Sequence, residues 1–261
     1  MKLLVILHSE LILKINKKTK IALWFAMLFF QMVVGQKQQV HQKLIWYGYY
    51  SILKINENWK VNSEVQERHF INPSAQHQLV FRSNVERKII HNWSGLIGFT
   101  LFLQSPQDPN SNSSLIVPEL RPSIGITNFE KLGSLKITNK YQLEARFFHN
   151  QNLNELVSGY TFSNFRFRYQ IGFDYPILRK EQSDKLVIKL KDEVMLNIGN
   201  QIVKNTFDQN RIYGGIQYVV NPKVALELGY LNWFQQQKSG IDYYNRDILR
   251  FSITHSIALK K

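Results

Sequence analysis

The sequence predicts an all-β fold: an antiparallel transmembrane β-barrel of ten to twelve strands, twelve preferred, after a cleavable signal peptide. Three observations carry this. Apolar and charged side chains alternate with a two-residue rhythm from about Trp46 to Leu259, a basic and then apolar leader precedes them, and the connections alternate between short and long. Successive side chains on a strand point to opposite faces, so a period of two marks a ribbon with one apolar and one polar side. A closed sheet with lipid outside and a polar lumen satisfies both sides at once.

The leader comes first. Lys14, Lys17, Lys18 and Lys20 precede an apolar run over residues 21–34, interrupted by Gln31, and Val33-Val34-Gly35 leads into polar Gln36 and Lys37. This is the layout of a secretory signal, and the run is short of the roughly 20 residues of a spanning helix. The predicted organisation is a signal peptide over residues 1–35 and one barrel domain over 36–261.

Eleven segments then carry strand character. The first, 44–54, is rich in aromatic residues. In the second, 58–70, Lys60, Asn62, Glu64, Gln66 and Arg68 alternate with Trp59, Val61, Ser63 and Val65. The third, 77–90, sets Arg82, Glu86 and Lys88 in one phase. The fourth, 93–104, opens on Trp93, and the fifth, 118–129, holds Glu119 and Arg121. In the sixth, 134–148, Thr138, Lys140, Gln142, Glu144 and Arg146 oppose Ile137, Tyr141, Leu143, Ala145 and Phe147. In the seventh, 160–175, Asn164, Arg166, Arg168 and Gln170 oppose Phe165, Phe167, Tyr169 and Ile171. The eighth, 185–198, carries Lys189, Lys191 and Glu193, and the ninth, 208–220, carries Asp208, Gln209 and Arg211. The tenth, 223–234, contains Glu227, and in the eleventh, 244–259, Ser252, Thr254 and Ser256 share a face. Single-chain bacterial barrels have even strand numbers. A short strand over 37–43 would make twelve, and a first segment lying outside the barrel would leave ten.

Tight links at 56–58, 90–92, 130–133 and 221–223 alternate with longer ones at 104–117, 149–159, 199–207 and 235–243, and 177–184 is intermediate. A barrel sorts its connections in this way, turns at one end and loops at the other. Energetics choose the facing. A basic side chain against lipid costs about 2–4 kcal/mol at the midplane, so the charged set points inward. Asp192 falls on the lipid phase and calls for a β-bulge or a rim position, and Arg87 falls there near a strand end. Aromatic residues near segment ends suit interfacial girdles: Trp46, Tyr47, Tyr49, Tyr50, Trp59, Trp93, Phe147, Phe148, Tyr160, Phe162, Trp233, Phe234, Tyr243 and Tyr244.

Several function classes drop out. With no Cys, disulfide scaffolds and Cys-ligated metal centres are excluded. No Gly-rich phosphate loop, HExxH pattern or zinc spacing is present, so no cofactor or metal is expected. Without residues 1–35, which hold five Lys and one Glu, the net charge of +14 falls to +10, and that charge is spread over alternating positions and mixed with acids, which argues against a nucleic-acid partner. The expected partners are outer-membrane lipid and, by class, the barrel-assembly machinery. His255 and Ser256 are neighbours on one strand, so their side chains diverge and make a poor base–nucleophile pair.

The inward charges come in a recognisable series: Glu64-x-Gln66-x-Arg68, Glu119-x-Arg121, Glu144-x-Arg146, Arg166-x-Arg168-Tyr169, Glu193, Asp208-Gln209-Asn210-Arg211-x-Tyr213-x-Gly215 and Glu227-x-Gly229-Tyr230. This series resembles the family called domain of unknown function 2490, exported proteins frequent in Bacteroidota and grouped with outer-membrane β-barrels. The resemblance covers nearly all of 44–259. It implies an outer-membrane location and brings no established activity.

The candidate site is therefore a luminal ion-pair network of Glu64, Gln66, Arg68, Glu119, Arg121, Glu144, Arg146, Arg166, Arg168, Glu193, Asp208, Gln209, Arg211 and Glu227. Opposite charges on adjacent strands pair across a sheet, and the Arg fork suits carboxylates. The function read from it is a non-catalytic outer-membrane barrel braced by this network. A narrow anion-favouring pore is the first alternative, because basic residues outnumber acids on the inward face. A membrane lipid hydrolase and a soluble exported lipid-binding barrel are the others.

Overall fold

The computed structural model describes residues 38–180, 183–202 and 204–259; the leader over residues 1–35 lies outside them. Eleven strands follow in order: β1 (Gln39–Lys54), β2 (Trp59–Phe70), β3 (Ala75–Ile90), β4 (Trp93–Gln104), β5 (Val117–Leu132), β6 (Leu135–Asn152), β7 (Glu155–Lys180), β8 (Ser183–Ile198), β9 (Phe207–Asn221), β10 (Val224–Gln236) and β11 (Tyr243–Ala258). Each pairs with its sequence neighbours and β1 pairs with β11, which closes the barrel.

The count is eleven, not the preferred twelve. Residues Gln39–Lys43 do not form a strand of their own but extend β1. In an up-and-down sheet with an odd number of strands the first and last run the same way, so the closing pair has to be parallel. It is: Gln39 lies opposite Tyr243 and Lys54 opposite Ala258. The barrel is thus antiparallel at every pair except this seam.

The short-turn end holds the connections at 55–58, 91–92, 133–134 and 222–223, and the other end those at 71–74, 105–116, 199–206 and 237–242. The sequence reading of 149–159 as a loop is corrected. β6 and β7 continue pairing out to Asn152 and Glu155, so this stretch is a projecting hairpin. Its apex needs a left-handed residue, and Leu153 takes a φ of 52°.

The outer face is apolar. Ile97 is 71% exposed, and Ile124, Leu190, Ile212, Ile216 and Leu228 are exposed around the wall. Soluble proteins seldom show an apolar surface that continuous. The inner face is polar over most of its area, which is the reverse of a soluble lipid carrier. Half of the aromatic girdle expectation fails for a simple reason: adjacent residues on a strand cannot both face lipid. Tyr47 and Tyr49 point outward, while Trp46 and Trp233 are buried inside the barrel. With Leu44, Phe70, Tyr213, Leu231 and Ile248 these two form an apolar cluster in the lumen.

Four register shifts lie toward the loop end, one of them between His149 and Gln151 in the β6–β7 hairpin. His77, Ser163 and Asp208 are each the unpaired residue of a β-bulge. A bulge inserts one residue and re-aims its neighbours. It explains how His77 and Gln78, and likewise Asp208 and Gln209, are buried as consecutive pairs. Asp192 has no bulge. It stays in regular register on the outer face, where the Asn210 side-chain amide donates to it at 2.6 Å. Arg87 points outward beside the Trp59 ring, 5.2 Å away, near the short-turn end.

Candidate functional site

The lumen has a cavity at each end and a layer of buried side chains between them. The short-turn cavity has a volume of about 610 Å³ and the loop-end cavity about 800 Å³. The middle layer contains most of the residues picked out by the sequence, and its construction differs from one side of the barrel to the other.

On β5–β8 the layer is made of Arg–Glu contacts. Glu119 is fully buried, and its Oε1 lies 2.6 Å from both Arg121 Nε and Arg146 Nε. Its other oxygen accepts from Arg121 Nη2 at 2.7 Å and from the Gln104 amide. Arg121 then approaches Glu144 at 3.8 Å. Glu144 is held by Arg168 Nη1 at 2.5 Å, and the other edge of the Arg168 fork grips Glu193 Oε1 at 3.0 and 2.6 Å. Arg146, Glu119, Arg121, Glu144, Arg168 and Glu193 therefore form one chain of alternating charge across four strands. Alternation is what makes burial tolerable, because each desolvated ion keeps an opposite neighbour.

A second cluster crosses from β7 to β9. Arg166 Nε lies 3.0 Å from Asp208 Oδ2, within ion-pair distance though not aligned as a hydrogen bond. Gln209 donates to Asp208 at 2.7 Å and accepts from Arg211 Nε at 2.8 Å. The bulge at Asp208 is what permits this, since on a regular strand Asp208 and Gln209 would face opposite ways.

Around the seam the arginines have no carboxylate in ion-pair contact among the described residues. Arg68 donates from Nε and Nη2 to Gln66 and from Nη1 to Gln78, with its guanidinium carbon 3.9 Å from the centre of the Trp46 ring. Arg211 lies 4.4 Å from the Trp233 ring. Arg246, fully buried, donates to Gln42 at 2.7 Å, Gln235 at 2.6 Å and Gln107 at 2.9 Å, and lies 4.4 Å from Trp233. Gln107 comes from the β4–β5 loop, which enters the barrel mouth at this point and also contacts His77 Nε2 at 3.2 Å. Cation–π contact is worth about 2 kcal/mol where water is excluded, and a hydrogen bond to a charged group about 1.5–3 kcal/mol.

Glu64 and Glu227 sit apart from the middle layer and line the short-turn cavity. Glu64 pairs with Arg82 at 2.6 Å, and Glu227 with Lys189 at 3.0 Å and with the Tyr213 hydroxyl at 2.7 Å. Gln66 bridges the cavity and the layer, donating to Tyr50 at 2.7 Å and Glu64 at 3.2 Å. Sequence reasoning missed Arg246 and Arg250. Both lie on β11 in phase with Ser252 and Thr254, and that phase is the signal that could have found them. It also missed His77 and Gln78, which a strict two-residue period cannot place together. His255 accepts or donates at 3.1 Å with the Tyr49 hydroxyl on the outer face, whereas Ser256 lines the short-turn cavity.

A closed barrel with an apolar outside, a polar inside and a series of buried Glu–Arg contacts defines an up-and-down β-barrel with a charged lumen. The chain belongs to the family of proteins of unknown function DUF2490, whose model matches residues 44–245. Among solved structures it is similar to the NanC porin at 12% identity and a TM-score of 0.46, over 77% of this chain and 93% of that one. No curated protein matches.

Proposed function

We propose that the protein is an outer-membrane β-barrel without catalytic activity, its lumen closed by the middle layer and its contacts made by the loop end. The observation that carries this reading is the buried alternating chain from Arg146 to Glu193 together with the Arg–Trp packing opposite it, which leaves those side chains almost no access to water. The apolar outer face supports lipid as the surrounding partner, with the barrel-assembly machinery as the route of insertion. Long polar connections on a rigid barrel are suited to recognition.

Planar-bilayer recording of the refolded protein tests it: the expected result is silence at high protein load. Steady anion-selective steps would establish the narrow-pore reading instead, which the excess of basic side chains on the inner face favours. Location is tested separately. The protein should stay in the membrane fraction through carbonate and high salt and leave it with detergent.

A further inference from the structure

The short-turn cavity contains more positive charge than its own acids use. Six cationic side chains line it against three carboxylates. Those carboxylates are engaged: Glu64 by Arg82, Glu227 by Lys189, and Glu86 by Lys60 at 2.9 Å. Lys140, Lys191, Lys223 and Arg250 also line the cavity, and none has a carboxylate within ion-pair distance among the described residues.

The deeper three, Lys140, Lys191 and Arg250, come from β6, β8 and β11, and register sets the wall between them. Across four strands Lys189 faces Gly215, Gly215 faces Gly229, and Gly229 faces Arg250. The two glycines let the Tyr213 ring lie flat on the wall, because a Cβ on either would collide with it. Tyr213 turns its hydroxyl to Glu227, and the Lys191 ammonium stands 5.6 Å from its ring centre. On the other side Gly172 lies between Thr138 and Lys191, with Lys140 two residues along β6 from Thr138. The two glycines thus make room on the wall for the Tyr213 ring, and Lys191 and Arg250 stand 5.6 and 5.1 Å from its centre. Arg250 is pre-oriented by the Tyr50 hydroxyl at 2.7 Å.

We propose that this cavity binds a small, soluble, multiply charged anion bearing phosphate or carboxylate groups, with Lys140, Lys191 and Arg250 as its ligands. A concave site with charge of one sign and low-dielectric walls concentrates counter-ions, and about 610 Å³ falls within the range of small-molecule sites. The barrel wall stands between these side chains and the surrounding lipid, which favours a solute over a lipid headgroup.

The test is calorimetric titration of the refolded, full-length protein in neutral detergent with inorganic pyrophosphate. Saturable binding that weakens with salt is expected. Lys140→Met and Lys191→Met should each lower the affinity roughly tenfold, the worth of one charge-assisted contact, and Lys43→Met on the outer face should not. Thermal unfolding of the two luminal variants, expected to be no lower than that of the parent, separates lost binding from lost folding. No saturable heat with the parent, or an affinity unchanged from the parent's in both luminal variants, would overturn the proposal. Doping the micelles with phosphatidylglycerol should leave pyrophosphate binding unchanged; competition by the lipid would overturn the soluble-anion reading. The titration is independent of whether the barrel conducts, so its failure and a current in the bilayer are distinguishable results.

Discussion

The two sides of the lumen bury guanidinium groups in different ways. On β5–β8, Arg121, Arg146 and Arg168 are neutralised by Glu119, Glu144 and Glu193. Around the seam, Arg68 and Arg246 are met by glutamine oxygens and indole faces, and no carboxylate among the described residues takes part. The first arrangement is self-compensating but brittle, because loss of one member exposes two others. The second spreads each cation over several weak partners, so that no single one decides the outcome.

The largest expected effect is therefore on the carboxylate side. Glu144→Ala should destabilise the barrel by about 3–5 kcal/mol, because it leaves three buried arginines to two carboxylates, Arg168 keeping only Glu193 and Arg121 only Glu119. Replacing Arg168 and Glu193 together by Leu, which leaves Arg121 and Arg146 matched by Glu119 and Glu144, should cost less than that single change. Denaturant unfolding, followed by the gel-mobility shift of the folded barrel, checks both. If the double variant is the worse one, the charges are not desolvated as described.

Trp233→Leu comes next. It keeps an apolar filler but removes the ring face used by Arg211 and Arg246, and should cost about 2 kcal/mol, read in the same unfolding assay. Gln107→Ala should cost about 1.5 kcal/mol, since Arg246 keeps two of its three glutamines. Faster proteolysis within residues 105–116 would report the freed loop. A penalty equal to that of Glu144→Ala would erase the contrast between the two sides.

The smallest effect belongs to an exposed pair beside the β7–β8 turn. The Lys136 hydrogen bond, helped by Arg179, holds the Asp184 carboxyl below the ordinary carboxylate range. A lowered carboxylate pKa contributes stability above the ordinary range and loses it as pH falls through the lowered value. Asp184→Asn should shift stability by a few tenths of a kcal/mol at neutral pH, as exposed pairs do, and the difference from the parent should vanish in acid.

Much of this is legible in the sequence, and the failures have separate causes. The alternation in segments such as 134–148 located the strands closely, because lipid and lumen impose opposite demands on successive residues. The same period that placed Glu144 and Arg168 should have split Trp46 from Tyr47, yet position near a strand end was allowed to outweigh phase. Asp208 and His77 depend on bulges, which shift phase by one residue and leave no mark in a two-residue pattern. The seam leaves no local pattern. Pairing partners two hundred residues apart contribute only a count, and the count of eleven segments already pointed to a parallel closure.

That closure has a consequence for chain connectivity. In an even-stranded barrel the first and last strands meet head to tail, and a circular permutation can join them with a turn of a few residues. Here Gln39 and Ala258 lie at opposite ends of a paired length of 16 residues. At about 3.3 Å per residue, a covalent bridge between them has to travel roughly 50 Å along the wall. A permutant built with a short linker would have to give up the β1–β11 pairing to close its peptide, whereas new termini opened in any of the tight turns would leave the barrel intact only if that long bridge were supplied.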